Sequence, residues 1–323
     1  MAVHPRPPRS VRLSLTDRCD LACVYCRPHR KDGYLEERLE DQAWKAMMEG
    51  LVRAGVRRVR LTGGEPLLHP RVVELVAHLA ELALEDLALT TNGTRLASLA
   101  LPLRQAGLRR ITISLDSLIP ERFFQLTRGG HLGRVLDGLD AALAAGFDEV
   151  KINTVILRGC NDDELEAITH WAWGRGITPR FIEVMRVGEG ANLPHNVLVT
   201  AREMQECLAP LLVQGDAVPD PDRGPARYRR ALHDPDRRVG FISGTSDTFC
   251  ERCDRLRVAS NGVLRPCLAT NDGVDASLPA RSGDIFAIER AVAEAWALKP
   301  DGRIWKGCTE STAAEVSMRA IGG

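Results

Sequence analysis

From residue 10 to about residue 185 one pattern repeats along the chain: a short run of alternating apolar and polar residues, then a longer stretch with apolar residues at helical spacing. The runs VRLSLT (11–16), RVRLT (58–62), DLALT (86–90), RITISL (110–115), EVKINTVI (149–156) and RFIEV (180–184) read as strands. Between and after them QAWKAMMEGLVRAG, RVVELVAHLAEL, LASLALPLRQAG, GRVLDGLDAALAAG and DELEAITHWAWGRG read as helices. Several close on Gly, as helix C-termini prefer. Strands alternating with helices predict a parallel sheet joined by right-handed crossovers.

Parallel strands covered on both faces usually read as unbroken apolar runs. These do not. Val11, Leu13 and Leu15 alternate with Arg12, Ser14 and Thr16; Val59 and Leu61 with Arg58, Arg60 and Thr62. Ile111, Ile113 and Leu115 alternate with Thr112, Ser114 and Asp116, and Val150 and Ile152 with Lys151 and Asn153. Alternation also suits an antiparallel sheet wetted on one side, but the intervening helices argue against that. The expected fold is α/β: an incomplete parallel (β/α)6 TIM-like barrel, open on one side, with a polar and basic lumen for an anionic ligand.

After residue 186 the rhythm stops. A loop, VGEGANLPHN, leads to a helical stretch, AREMQECLAPLL, and a Pro/Asp/Arg-rich connection. Two hairpin-like pairs of β-type runs follow, with Asn261-Gly262 as a strong turn signal, then a last helix over about 283–298. The expected division is residues 1–185 for the barrel and 186–323 for a smaller α+β segment closing its open side.

The 43 basic and 43 acidic residues cancel, so no overall field draws the chain to nucleic acid or an acidic membrane. An anion must be held by a local basic pocket. MAVHPRPPRS has no apolar core, and no apolar run approaches membrane-spanning length. The expected location is cytoplasmic, where clustered cysteines bind metal or react more often than they pair. Of the nine cysteines, Cys160, Cys207 and Cys308 are scattered and expected as small buried hydrophobes.

The other six form two triplets: Cys19, Cys23 and Cys26 in CDLACVYC, and Cys250, Cys253 and Cys267 in FCERCDRLRVASNGVLRPC. Thiolates suit zinc and iron–sulfur clusters alike. Structural zinc needs a fourth ligand, which His29 could provide for the first triplet, and the second could be a zinc knuckle. A cubane [4Fe–4S] cluster on three cysteines instead leaves one iron open. Arg255 and Arg257, two apart on a β-type run, point to one face and could clamp an anion there.

C-x3-C-x2-C with Tyr25 before its last cysteine, at the end of the first strand, resembles the radical S-adenosylmethionine (SAM) superfamily. LTGGEPLL (61–68), ending the next strand, resembles that superfamily's GGE motif. Within it, SLTDRCDLACVYC, RLTGGEPLL, LTTNGTRL, GLRRITISLDSL, VKINTVILRG, RFIEVMRVG, TFCERCDRLR and the final GG resemble the GTP 3′,8-cyclase family, which begins molybdenum cofactor biosynthesis, along essentially the whole chain. The resemblance implies two [4Fe–4S] clusters, on Cys19, Cys23 and Cys26 and on Cys250, Cys253 and Cys267, with S-adenosyl-L-methionine as cofactor. It implies SAM contacts at Tyr25, Gly64, Ser114 and Met185, and GTP contacts at Arg12, Arg60, Thr90, Lys151, Arg255 and Arg257. The six cysteines with Arg12, Arg255 and Arg257 would then be catalytic, and the second cluster would bind the guanine.

The implied partner is GTP as substrate, with no nucleic acid and no membrane. Hand-over of product to the cyclic pyranopterin monophosphate synthase stays open, as does the choice between monomer and homodimer. The Gly322-Gly323 tail is expected to enter the site. CRPH after the last cysteine, the Pro-rich lead-in and MRAIGG depart from the family pattern without removing a ligand. A peptide-modifying radical SAM enzyme and a zinc-stabilised binding module remain the alternatives.

Overall fold

A computed structural model describes residues 7–27, 34–219, 224–247, 249–250 and 253–300. Its first part alternates β1 (Ser10–Ser14), α1 (Asp41–Arg53), β2 (Arg58–Thr62), α2 (Val72–Glu81), β3 (Asp86–Thr91), α3 (Leu96–Gln105) and β4 (Arg110–Ser114). It continues with α4 (Pro120–Thr127), α5 (Leu132–Ala144), β5 (Glu149–Val155), α6 (Leu165–Trp173) and β6 (Thr178–Ile182). The remainder holds α7 (Ala201–Cys207), β7 (Val218–Pro219), β8 (Arg227–Arg230), β9 (Arg238–Ile242), β10 (Arg255–Val258), β11 (Val263–Arg265), β12 (Val274–Asp275), α8 (Ser277–Ser282) and α9 (Ile285–Ala297).

All the strands expected before residue 186 form, with small shifts at their ends, and β1 to β6 pair in parallel in chain order. Their apolar residues face the helices. Val11, Leu13, Val59, Leu61, Leu89, Ile111, Ile113, Ile152 and Phe181 join the helix residues Trp44, Met47, Leu75 and Leu139 in one buried core. The polar residues of the same strands therefore face the other way, into the lumen.

The chain after residue 186 enlarges this sheet. β10 pairs in parallel with β1, and β9 in parallel with β6, so both edges of the barrel strands are covered. Antiparallel hairpins complete each side: β10–β11 turns at Asn261-Gly262, where Gly262 has φ 92°, and β8 pairs with β9. The 12-stranded sheet begins at β12 and ends at β7 without closing.

Two local features differ from expectation. Helix α4, PERFFQLT, forms where no element is expected; Pro120 starts it and Arg128, at φ 54°, ends it. Cys160 and Cys207 are exposed rather than buried. Cys160 lies in the turn after β5, and Cys207 is the last residue of α7, so neither reaches the core. His29, Cys308 and the Gly322-Gly323 tail lie outside the described residues. Among the described residues no helix is long and apolar enough to cross a membrane.

Candidate active site

The topology puts the two cysteine triplets at opposite ends of the strands. Cys19, Cys23 and Cys26 follow the C-terminal end of β1, whereas Cys250 and Cys253 precede the N-terminal end of β10. Because β10 runs parallel to β1, the triplets lie at least a strand's length apart, on the order of 15 Å. Cys267 follows β11, which is antiparallel to β10, and so returns to the Cys253 end.

The first cysteine loop is held from three sides. Ala22 and Val24 donate their N–H groups to the carbonyls of Thr127 and Leu126, at 3.1 and 3.0 Å, so the unexpected α4 anchors the loop. Cys26 and Arg27 both donate to the Cys23 carbonyl, closing a tight turn. Asp17, fully buried, accepts from Leu35 N and Arg38 Nε, both at 2.6 Å, tying the following segment down.

The third support is the Gly-Gly pair. Gly64 N donates to Thr16 O at 2.6 Å and Glu65 N to Arg18 O at 2.7 Å. A Cβ on Gly64 would lie 2.2 Å from Arg18 O, and one on Gly63 would lie 2.3 Å from Thr16 O. The obstacles are backbone atoms, so the loop itself would have to move. Gly64→Ala is therefore expected to cost at least ~1–3 kcal/mol and to lower iron content at the first triplet. A melting curve and an iron assay check this; full iron content would assign the glycine no part in holding the loop.

Glu65 turns back into the sheet, accepting from Leu67 N, Thr91 Oγ1 and Asn92 N at 3.0, 2.7 and 2.7 Å. Burial nonetheless raises its pKa to about 7. Asn92 in turn points Nδ2 at Cys19 Sγ, 3.8 Å away, and Leu21 N reaches the same sulfur at 3.4 Å. Burial, and then Glu65, push the Cys19 thiol up; burial, and then Asp116, do the same to Cys23. A cationic iron centre removes that penalty, and N–H groups aimed at sulfur are the second contacts ligating thiolates prefer. Among the described residues no three His, Cys, Asp or Glu side chains converge on a single metal ion. A cubane does not require that, since each thiolate meets a different iron.

Tyr25 OH donates to Asp116 Oδ2 at 2.6 Å, while Asp116 Oδ1 accepts from Val155 N at 2.9 Å. The aromatic ring is thereby fixed beside the ends of β4 and β5. Ser114 closes β4, level with Asn153 on β5. Met185 follows β6 and meets Gly244, where a Cβ would come within 2.5 Å of its Cγ. Tyr25, Gly64, Ser114 and Met185 thus all gather at the C-terminal ends of the barrel strands.

Between the triplets runs a row of cations. Arg257, Arg12 and Arg60 occupy the same register on the adjacent strands β10, β1 and β2. Farther round, Thr90, Thr112 and Lys151 share a level on β3, β4 and β5. Arg60 donates to Thr90 Oγ1 and Thr112 Oγ1 at 3.2 and 3.4 Å, and Arg180 from β6 donates to Thr112 Oγ1 at 3.0 Å. Burial, and then Arg257, Arg255, Arg60 and Arg180, pull Arg12 far below the ordinary arginine range. Arg60 and Arg257 are lowered by burial and then by the charges of Arg180 and Arg255 respectively. Buried like charges of this density are costly unless an anion joins them.

Lys151 shows the tension directly. It is 3% exposed and pairs with Glu149 Oε2 at 2.8 Å. Arg110 and Arg238 share the same carboxylate at 3.2 and 3.1 Å. Burial and Arg180 still bring Lys151 down to about 7.

At the second triplet, Cys253 N donates to Cys250 O at 3.1 Å and Ala269 N to Cys267 Sγ at 3.4 Å. Burial opposes the Cys253 thiolate, but Arg255 and Lys299 outweigh it and bring the pKa to about 6.

All the expected site residues thus fall on the lumen wall or at its two mouths. Two residues were not expected there as ligands. Arg180 is 4% exposed, and among the described residues its Nε has no hydrogen-bond partner; neither has Asn153 Oδ1 on its register neighbour in β5. Asn153 belongs to the polar alternation that places Lys151 inside, so parity could have found it; Arg180 lies on RFIEV, which lacks that alternation. Lys299 carried no such signal.

Comparison with known proteins agrees with this arrangement. The radical SAM superfamily profile matches residues 13–172, and the profile described as Molybdenum Cofactor Synthesis C matches residues 177–305. A GTP 3′,8-cyclase from Pelotomaculum thermopropionicum is 41% identical over 304 residues, covering 90% of this chain and 91% of the relative. One from Pseudomonas fluorescens is 40% identical over 301 residues, covering 90% and 89%. The crystal structure of Streptococcus suis SuiB bound to S-adenosylmethionine superposes with a TM-score of 0.66 at 16% identity, over 93% of this chain and 67% of that one. That last likeness is one of fold.

Proposed function

The chain belongs to the GTP 3′,8-cyclase family of radical SAM enzymes in molybdenum cofactor biosynthesis, and on that premise we propose that it cyclises GTP in the lumen between its two triplets. The product would be (8S)-3′,8-cyclo-7,8-dihydroguanosine 5′-triphosphate. A [4Fe–4S] cluster on Cys19, Cys23 and Cys26 would supply the electron that splits SAM to methionine and the radical that takes the ribose 3′ hydrogen. Closure of the ring onto guanine C8 would then take one further electron from the reductant and one proton. A second cluster on Cys250, Cys253 and Cys267 would offer its open iron to the guanine.

The chain's own residues have separate tasks. Tyr25, fixed by Asp116, gives SAM a flat ring, and the Gly64 backbone, Ser114 and Met185 complete that end. Arg12, Arg60, Arg255, Arg257 and Lys151 neutralise the triphosphate, with Arg180 added to them. Thr90 and Thr112 orient Arg60 and Arg180. Enclosure by the sheet excludes water and positions the reacting carbon. Clusters held on six reduced thiolates would also suit a cytoplasmic setting.

One observation carries this assignment: a row of arginines, Arg257 buried and Arg12 and Arg60 half-buried, held at one register between two three-cysteine sites. The direct test is anaerobic incubation with SAM, a reductant and each nucleoside triphosphate in turn, followed by mass analysis and an iron count. A cyclised product from GTP and about eight irons per chain are expected. No product from any nucleotide, or two zincs in place of iron, would overturn it.

The proton on Lys151 gives a second check. With its pKa near 7 in the free site, the ammonium is largely lost above neutral pH, and binding a polyanion must restore it. GTP affinity is therefore expected to fall as pH rises past about 7, by up to ~10-fold per pH unit. In Lys151→Met, binding should be weaker and lack that slope. Equilibrium binding across the neutral range decides; an unchanged slope in the variant would assign the proton elsewhere.

A further inference from the structure

Lys299 lies just beyond the end of α9, and its main chain turns back through a bond from Lys299 N to Trp296 O at 3.0 Å. The side chain runs inward and is only 9% exposed. Its ammonium donates to Arg255 O at 2.7 Å, to Pro266 O at 2.9 Å and to Cys253 Sγ at 3.4 Å. The Trp296 ring lies 4.5 Å from the same nitrogen.

All three ammonium hydrogens are thus used, and the three acceptors belong to both segments that carry the second triplet. Arg255 is next but one to Cys253, and Pro266 precedes Cys267. Two acceptors are neutral carbonyls. They satisfy the hydrogen bonds but do not balance a buried positive charge, which is costly without an anion. Arg255 adds more positive charge at the same place, so among the described residues the sulfur side supplies the counter-charge. A cubane on three thiolates is net anionic, and reduction adds one more negative charge without making or breaking a bond. Charges and hydrogen bonds at cluster sulfurs set reduction potential.

We propose that Lys299 is a positioning residue for the second cluster: it clamps the Cys253 and Cys267 segments together and, through its charge beside Cys253 Sγ, makes that cluster easier to reduce. The proposal rests on the two-cluster assignment, and the test keeps the two apart. The full chain carrying Cys19→Ala, Cys23→Ala and Cys26→Ala is reconstituted anaerobically, leaving only the second triplet to hold iron. Lys299→Arg, Lys299→Gln and Lys299→Met are made on that background. Iron content and the midpoint potential, followed by electron paramagnetic resonance as dithionite supplies one electron per cluster, are then measured.

The background chain is expected to hold about four irons; if it holds none, the two-cluster assignment fails. Given that iron, Lys299→Gln keeps hydrogen-bond donors but loses the charge, so its potential should move to more negative values. Lys299→Met loses donors as well and should lose iron, while Lys299→Arg should stay near the background in both readouts. An unchanged potential in Lys299→Gln overturns the electrostatic role. Equal iron loss in Lys299→Arg, which keeps the charge, and Lys299→Met, which does not, shows that the charge does not hold the cluster, and overturns it too.

Discussion

Cys267→Ser is expected to leave SAM cleavage running and to end GTP cyclisation. A hydroxyl has nearly the shape of a thiol but is a poor ligand for iron. Cys267 sits at the end of β11, on the far side of the lumen from Cys19, Cys23 and Cys26. Among the described residues its contact with Ala269 N at 3.4 Å does not involve the first cysteine loop, which is held by α4, Asp17 and the Gly63-Gly64 pair. The first site should therefore load with iron and produce 5′-deoxyadenosine. Cyclised product should fall by more than the ~100-fold typical of losing an outer contact to a metal ligand. Both yields can be followed in one anaerobic reaction. Parallel loss of both would mean that the triplets do not act separately, and near-normal product would remove the second triplet from substrate binding.

Arg257→Ala should separate binding from stability. Arg257 is 5% exposed and level with Arg12, which is level with Arg60. Its charge-assisted contact to a phosphate or base would contribute roughly 1.5–3 kcal/mol, so its loss should weaken GTP binding by about 10- to 150-fold. SAM, expected near Tyr25 and Met185, should bind nearly as before. Without ligand the arginines repel one another and are poorly solvated, so removing one relieves strain in the empty protein. The melting temperature should hold or rise, as expected where a site is built for binding at the expense of stability. Isothermal titration with GTP and with SAM, beside a melting curve, makes the comparison. A lower melting temperature with both ligands equally weakened would make Arg257 a structural residue.

Much of the barrel was legible because parallel strands with one polar face carry two signals at once. The alternation in VRLSLT and RVRLT names the strand and also says which residues share a side. Arg12 and Arg60 could be placed on the lumen wall before any partner strand was known. The cysteine spacing was legible because ligands three and four apart must lie on one short loop. The Gly63-Gly64 pair was legible as a motif, and the fold shows that its backbone approaches the cysteine loop itself.

Helix α4 was hidden because eight residues, PERFFQLT, are too few to show a helical period against neighbouring turns. The scattered cysteines misled for a related reason: Cys160 and Cys207 have an apolar residue's usual preference, but position on a turn or a helix end decided their exposure.

By itself the sequence determined the barrel strands, their inward residues and the two cysteine triplets, since each follows from local periodicity or short spacing. Tertiary structure alone decided that β10 and β9 join opposite edges of the barrel, because strand pairing across such separations leaves no local trace. From that pairing came the alignment of Arg257 with Arg12 and the placing of the triplets at opposite mouths. It also decided that Lys299 lies beside Cys253. An isolated lysine after a helix has no pattern to read, and its buried charge acquires meaning only from the groups that folding sets around it.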